Sequence, residues 1–357
     1  MPVHYRTIRP IPVAIIVFQS VAFLFPMATA LAQPGIPNGT ARKAHPHPGT
    51  NLPDSPLKRP VLGYVASSSP AELRGILGVP GAAVFSTPLL LPEDVTRVRV
   101  APGQSYALIE RGRQENAVLP LDGAEAGAAL SVTGALQVAD LVAFSPSGRS
   151  AVLLSAAAAR LQVIAGLPRT PRIVQDIDLA SLPGLPDRVA ISDDAGSILL
   201  ESSHTVYLLS PDGSARVAAA VPEGAALAFL PNSGDVAIGD RKAGSVYVMQ
   251  PLTGRIVGVL SSGLNEIGEI ATSSDGAVVY VTDLSEQHIR AVSVATGEVR
   301  TFELPVSPVR IDRLKGTDTF LISAEAGQPA WIFLGSGNDA RAVFVPAEQT
   351  VRRQSRE

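Results

Sequence analysis

The strongest constraint in this chain is a pair of glycine registers that recur along most of its length. The segments APGQSYALIE (101–110), SPSGRSAVLLS (145–155), SDDAGSILLES (192–202), PNSGDVAIGD (231–240), SSDGAVVYVTD (273–283) and KGTDTFLISA (315–324) each join a tight polar turn to a strand. Their glycines, Gly103, Gly148, Gly196, Gly234, Gly276 and Gly316, are spaced 45, 48, 38, 42 and 40 residues apart. A second hairpin follows each first one. It is clearest in VYLLSPDGSARVAA (206–219), VYVMQPLTGRIVGVL (246–260), IRAVSVATGEVRTFEL (289–304) and WIFLGSGNDARAVFV (331–345), whose glycines Gly213, Gly254, Gly297 and Gly337 lie 41, 43 and 40 apart. Hairpin turns need a backbone with φ > 0, which glycine adopts without steric cost.

Each unit therefore holds two hairpins, or four short strands, in about 40–45 residues. An isolated hairpin is marginal in water. Radial stacking of such units buries both faces of every sheet and leaves only short edges. The expected fold is an all-β propeller of four-stranded blades. Six complete units run from about residue 95 to 346. Before them, 60–79 reads as one extra second hairpin, followed by AAVFSTPLLL (82–91). Seven blades with an irregular first one account for all the strands; six blades with an added N-terminal hairpin are the alternative. Both ends read as outer hairpins, which leaves the closing strand unassigned.

SSDGAVVYVTDLSEQHIRAVSVATGEVRTFEL resembles the YVTN-type propeller repeat, and SGDVAIGDRKAGSVYVMQPLTGRIVGVL is a weaker copy. The resemblance covers 227–304. It implies a propeller of a group whose members bind proteins, sugars or small metabolites and include some lactonase-like hydrolases.

The first 32 residues read as a cleavable export signal. Arg6 and Arg9 form a positive start, 11–25 an apolar run and Ala30-Leu31-Ala32 an A-x-A cleavage site. The apolar run is shorter than the roughly 20 residues a membrane-spanning helix needs, and Gln19 and Ser20 interrupt it. No later run is long enough to span, so no membrane span is expected after cleavage. Residues 33–60 are rich in Pro, Gly and Asn and read as a disordered leader. The propeller is expected over 61–346 and a polar tail over 347–357. The expected location is periplasmic or extracellular.

The chain has no cysteine, so disulfides, thiolate metal sites and a cysteine nucleophile are excluded. With 29 basic and 32 acidic side chains it has no basic footprint for nucleic acid. No catalytic residue is assigned. His45 and His47 fall in the leader, and His204 and His288 pair with no serine or acid at a recognisable spacing. No segment matches the G-x-S-x-G elbow. Gly335-x-Gly337-x-x-Ala340 is followed by a strand rather than a helix and reads as a turn. Asp176 and Asp178 share one strand face without a third oxygen ligand. Asn38-Gly39-Thr40 is a glycosylation sequon. Aromatic residues are 5% of the chain, with Trp331 the one tryptophan, which weakens a sugar-stacking reading.

The most informative polar set is positional. Connections from an outer strand to the next inner strand cross one face of a propeller near its channel. Here they carry Glu93 and Asp94, Asp140, Asp187 with Arg188, Glu223, Asn265 with Glu266, and Arg310. Five of the six connections bring a carboxylate, so an acidic channel mouth is expected. Converging charges in a low-dielectric funnel reinforce one another. Such a mouth would suit a cation such as calcium, or a cationic or polyhydroxyl ligand. No cofactor is identified, and the metal content is left open. The expectation is an exported, non-enzymatic scaffold for an unknown protein, glycan or small molecule, with a lactonase-like hydrolase as the alternative.

Overall fold

The computed structural model describes residues 59–112, 114–123, 125–308, 310–323, 328–337 and 340–347. The export signal, the leader up to residue 58 and the tail from residue 348 lie outside the described residues.

Among the described residues there are no helices, and the strands form seven small antiparallel sheets. Blade 1 contains β1 (Val61–Ser68), β2 (Ala71–Val79) and β3 (Ala82–Pro88). Blade 2 contains β4 (Arg97–Val100), β5 (Tyr106–Arg111) and β6 (Gln114–Asp122), with two short outer strands, β7 (Glu125–Ala126) and β8 (Leu130–Ser131). Blade 3 contains β9 (Leu141–Phe144), β10 (Ser150–Ser155), β11 (Arg160–Ala165) and β12 (Arg172–Asp178). Blade 4 contains β13 (Arg188–Ile191), β14 (Ile198–Ser202), β15 (Thr205–Leu209) and β16 (Ala215–Ala220). Blade 5 contains β17 (Ala225–Phe229), β18 (Val236–Asp240), β19 (Ser245–Gln250) and β20 (Arg255–Ser261). Blade 6 contains β21 (Ile267–Thr272), β22 (Val278–Asp283), β23 (His288–Ser293) and β24 (Val299–Glu303). Blade 7 contains β25 (Asp312–Arg313), β26 (Thr319–Ser323), β27 (Ala330–Leu334) and β28 (Arg341–Val345).

The apolar side chains form seven clusters, each shared by two adjacent blades. Tyr106, Leu108 and Val118 of blade 2 pack on Ala151, Leu153 and Ile164 of blade 3. The last cluster joins Leu321, Ile332 and Val345 of blade 7 to Val65, Ile76 and Phe85 of blade 1. The ring is thus closed by packing, and seven blades are present. Second strands are sandwiched on both faces, which is why SAVLLS of β10 is buried at every position. Outermost strands such as ARVAAA of β16 are mostly exposed.

Blade 1 is irregular in a specific way. Inner strands β4, β9, β13, β17, β21 and β25 all run from the rim of the interblade connections to the opposite rim, where they turn into the second strand. β1 runs the other way. Its start meets the turns that end the neighbouring inner strands: Lys315 N–H donates to Leu62 O at 2.7 Å, and Tyr64 N–H donates to Gln104 Oε1 at 2.7 Å. Tyr64 on β1 also repeats the role of Tyr280 on β22, a second strand. Each phenol donates to a glycine carbonyl in the next blade's outer turn, Gly123 at 2.8 Å and Gly335 at 3.2 Å respectively. The segment 60–79 is therefore not an outer hairpin. It supplies the second and third strand positions, β3 supplies the fourth, and the innermost position of blade 1 is held by no described strand.

The turn glycines hold with a shift. Gly148, Gly234, Gly276 and Gly316 have positive φ, as do all four glycines of the second register. In blades 2 and 4 the positive φ falls instead on Gln104 (55°) and Ala195 (59°), next to Gly103 and Gly196.

Candidate functional site

The channel is walled by the short inner strands, and its charge comes from them. β4, β13, β21 and β25, with Arg310 just before β25, carry Arg97, Arg99, Arg188, Arg310 and Arg313 against Glu269 and Asp312. In β4 the alternation of RVRV sends Val98 into the cluster shared with blade 1 and places Arg97 and Arg99 together on the other face.

These groups are linked around the ring. Arg97 reaches Glu110 at 3.7 Å and donates to Ala139 O at 3.2 Å. Arg188 lies 4.0 Å from Glu269, two blades away, and Glu269 accepts from Ile311 N–H at 3.2 Å. Arg310 pairs with Asp312. Arg313 donates to Thr272 O, lies over the Phe320 ring at 5.3 Å and approaches Asp318 at 3.9 Å. Arg99 donates to Val98 O at 3.4 Å and forms no ion pair among the described residues. Burial, then the like charges of Arg97 and Arg310, pull its pKa below the usual arginine value, offset in part by Glu110 and Asp312. Burial, then Asp312, raises the Glu269 carboxyl.

A cavity of about 430 Å³ opens where no described strand holds the innermost position of blade 1, lined by Tyr64, Val65, Ala66, Arg99, Gln104 and Arg310 among others. A second, of about 270 Å³, continues along the channel past Phe144, Phe229, Ile270 and Asp312. Gln104 stands at the foot of the first cavity, 2% exposed. Its Oε1 accepts from Tyr64 N–H and its Nε2 donates to Arg313 O at 2.7 Å. One amide therefore spans the gap between blade 1 and blade 7.

Of the nine rim residues singled out from sequence, Arg310 lines the larger cavity. Asp94 pairs with Arg111 at 3.0 Å, Glu223 with Lys242 at 2.5 Å, and Asp140 accepts from Ala156 N–H at 2.7 Å. Each partner sits on the rim, in the same blade or the next. Asn265 donates to Glu286 at 2.6 Å, and Arg188 reaches Glu269 as above. Glu93, Asp187 and Glu266 are exposed. No group of three or more His, Asp or Glu side chains among the described residues is placed to hold a metal ion. The elements that sequence reasoning passed over are Arg97, Arg99, Glu269, Asp312, Arg313 and Gln104. Charged residues inside strands assigned to the channel wall were the available signal.

No protein-family model and no curated protein sequence matches the chain. Among solved structures it is similar to a functionally unknown protein from Desulfotomaculum acetoxidans DSM 771, at 15% identity and a TM-score of 0.53, over 80% of this chain and 99% of that one. It is also similar to a chain of a nidogen/laminin complex, at 15% identity and a TM-score of 0.42, over 72% of this chain and 97% of that one. The first likeness supports the β-propeller fold.

Proposed function

We propose that this protein is an exported, non-enzymatic β-propeller that binds an anionic ligand in its channel, with Arg99 and Arg310 as the contacting cations. The observation that carries the reading is Arg99, a half-buried guanidinium facing a cavity without a carboxylate partner among the described residues. An anion entering there would relieve the mutual repulsion of Arg97, Arg99 and Arg310, and charge-assisted bonds to guanidinium are the strong class. The rim residues Glu93, Asp94, Asp140, Asp187, Arg188, Glu223, Asn265 and Glu266 belong to the proposal as the outer part of the same face, where they would select among ligands. The YVTN-type resemblance over 227–304 supports a binding role for the repeat, and the export signal read in 1–32 supports a periplasmic or extracellular site of action.

The test is thermal stability of the mature chain with citrate, phosphate and sulfate at constant ionic strength. Binding to the folded state raises the melting temperature in proportion to the logarithm of ligand over Kd. The expected result is stabilisation by at least one anion that Arg99→Ala abolishes. Equal stabilisation of both proteins, or none of either, would sink the reading.

A further inference from the structure

We propose that the open edge of β1 accepts an extended acidic peptide segment, which adds to blade 1 as its missing innermost strand. This rests on the anion-binding reading of the channel and names the ligand class.

Three observations converge on it. The first is an unpaired strand edge. β1 bonds to β2 along one side, and on the other side two groups near its start are taken, Leu62 O by Lys315 N–H and Tyr64 N–H by Gln104. Alternation turns the amide and carbonyl of Ala66 to that same side, where no strand pairs with them among the described residues. Ala66 lines the cavity. A strand edge with free donors and acceptors is a template for β-augmentation.

The second is room of the right length. The other inner strands are two to six residues long, and Gln104 fills the foot of the position. Beyond Tyr64, whose amide Gln104 takes, β1 runs on to Ser68, an edge for about three or four extended residues at roughly 3.3 Å each.

The third is charge. A strand laid on β1 lies between β4 and β25, beside Val98 and Val100 of β4, and faces the cavity that Arg99, from the other face of β4, and Arg310 both line. Asp312 is already paired with Arg310, and Arg99 has no such partner among the described residues. A carboxylate on the incoming segment completes the set, whereas a lysine there adds a fourth cation beside Arg97, Arg99 and Arg310.

The experiment uses the mature full chain and a fluorescein-labelled hexapeptide series in an alternating Val/Thr host, with a single Glu, Gln or Lys walked through each position. Anisotropy reads binding. The expected result is one register in which Glu binds about tenfold or more tighter than Gln, the scale of a charge-assisted hydrogen bond, with Lys weaker still. Proline at the position facing Ala66 removes a backbone donor and should abolish binding. Arg99→Gln, at a half-buried site, should leave the fold intact and erase the Glu preference.

No binding by any peptide up to about 1 mM, a −4.1 kcal/mol threshold, overturns the proposal. If citrate still stabilises the protein in an Arg99-dependent way, the anion reading stands and strand addition falls. If neither peptide nor citrate acts, both fall. Binding without preference for Glu overturns the acidic character of the partner. Binding that requires deletion of residues 348–357 identifies the chain's own C-terminal segment as the occupant and overturns an external one.

Discussion

Replacing Gln104 by alanine removes both hydrogen bonds that stitch blade 2 to blade 1 and blade 7. The Tyr64 amide and the Arg313 carbonyl lose their partner. A buried polar group left unsatisfied costs about 1–3 kcal/mol. The adjoining cavity can admit water to one or both groups, which favours the lower half of that range for each. The expected loss is about 2–4 kcal/mol. Glycine at the same position separates the amide from the backbone. The φ of 55° is strained for alanine and glutamine and natural for glycine, by about 1 kcal/mol. Gln104→Gly should therefore be less destabilised than Gln104→Ala by about that amount. Gln104→Glu keeps an acceptor for Tyr64 N–H but sets a buried carboxylate against the Arg313 carbonyl, so it should be no better than alanine. Urea unfolding of the four proteins, with slopes compared, gives the differences directly. A Gln104→Ala loss under about 0.5 kcal/mol, the scale of ordinary surface substitutions, would refute the view that this amide holds the ring together beside the three described strands of blade 1.

Other expectations follow from single features. Burial, then Asp122, pushes the Tyr64 phenol up to about 12, above its unfolded value near 10. The folded state then holds that proton more tightly, so its contribution is present below about pH 10 and is lost as pH rises towards 12; Tyr64→Phe should flatten alkaline unfolding in that window. A Cβ on Gly268 would lie 2.5 Å from Thr282 Oγ1 and 2.8 Å from Leu284 Cδ2, so Gly268→Ala should cost about 1–3 kcal/mol as overpacking, read as a lower urea midpoint. N-terminal sequencing of the secreted or periplasmic protein should begin at Gln33; a start at Met1 would contradict the export reading.

The sequence carried the architecture because most turns of the two registers hold a backbone conformation that favours glycine. Gly148, Gly234 and Gly276 sit at φ values that favour glycine, and their spacing is the blade. The register of blade 1 was not legible from 60–79 alone. A second–third hairpin and a third–fourth hairpin have the same strand–turn–strand texture, and only the contacts of Leu62 and Tyr64 with the far rim separate them. Gln104 was hidden for a related reason. It occupies a position where other blades place glycine, and its value lies in contacts 40 and 209 residues away in the chain. The rim residues were legible as positions, since connections between blades must cross the channel face. Their partners, such as Lys242 for Glu223, come from neighbouring turns whose approach depends on blade packing. Arg97 and Arg99 were in plain view in an alternating inner strand. Their meaning required knowing that Val98 faces blade 1 and that no described strand fills the space beside it.

The most direct test of the central claim is a crystal structure of the mature protein soaked with citrate. The expected result is seven blades, three strands in blade 1, Gln104 bridging Tyr64 and Arg313, and ligand density between Arg99 and Arg310. An empty channel at saturating citrate, or a strand of the chain itself filling the gap beside β1, would contradict it.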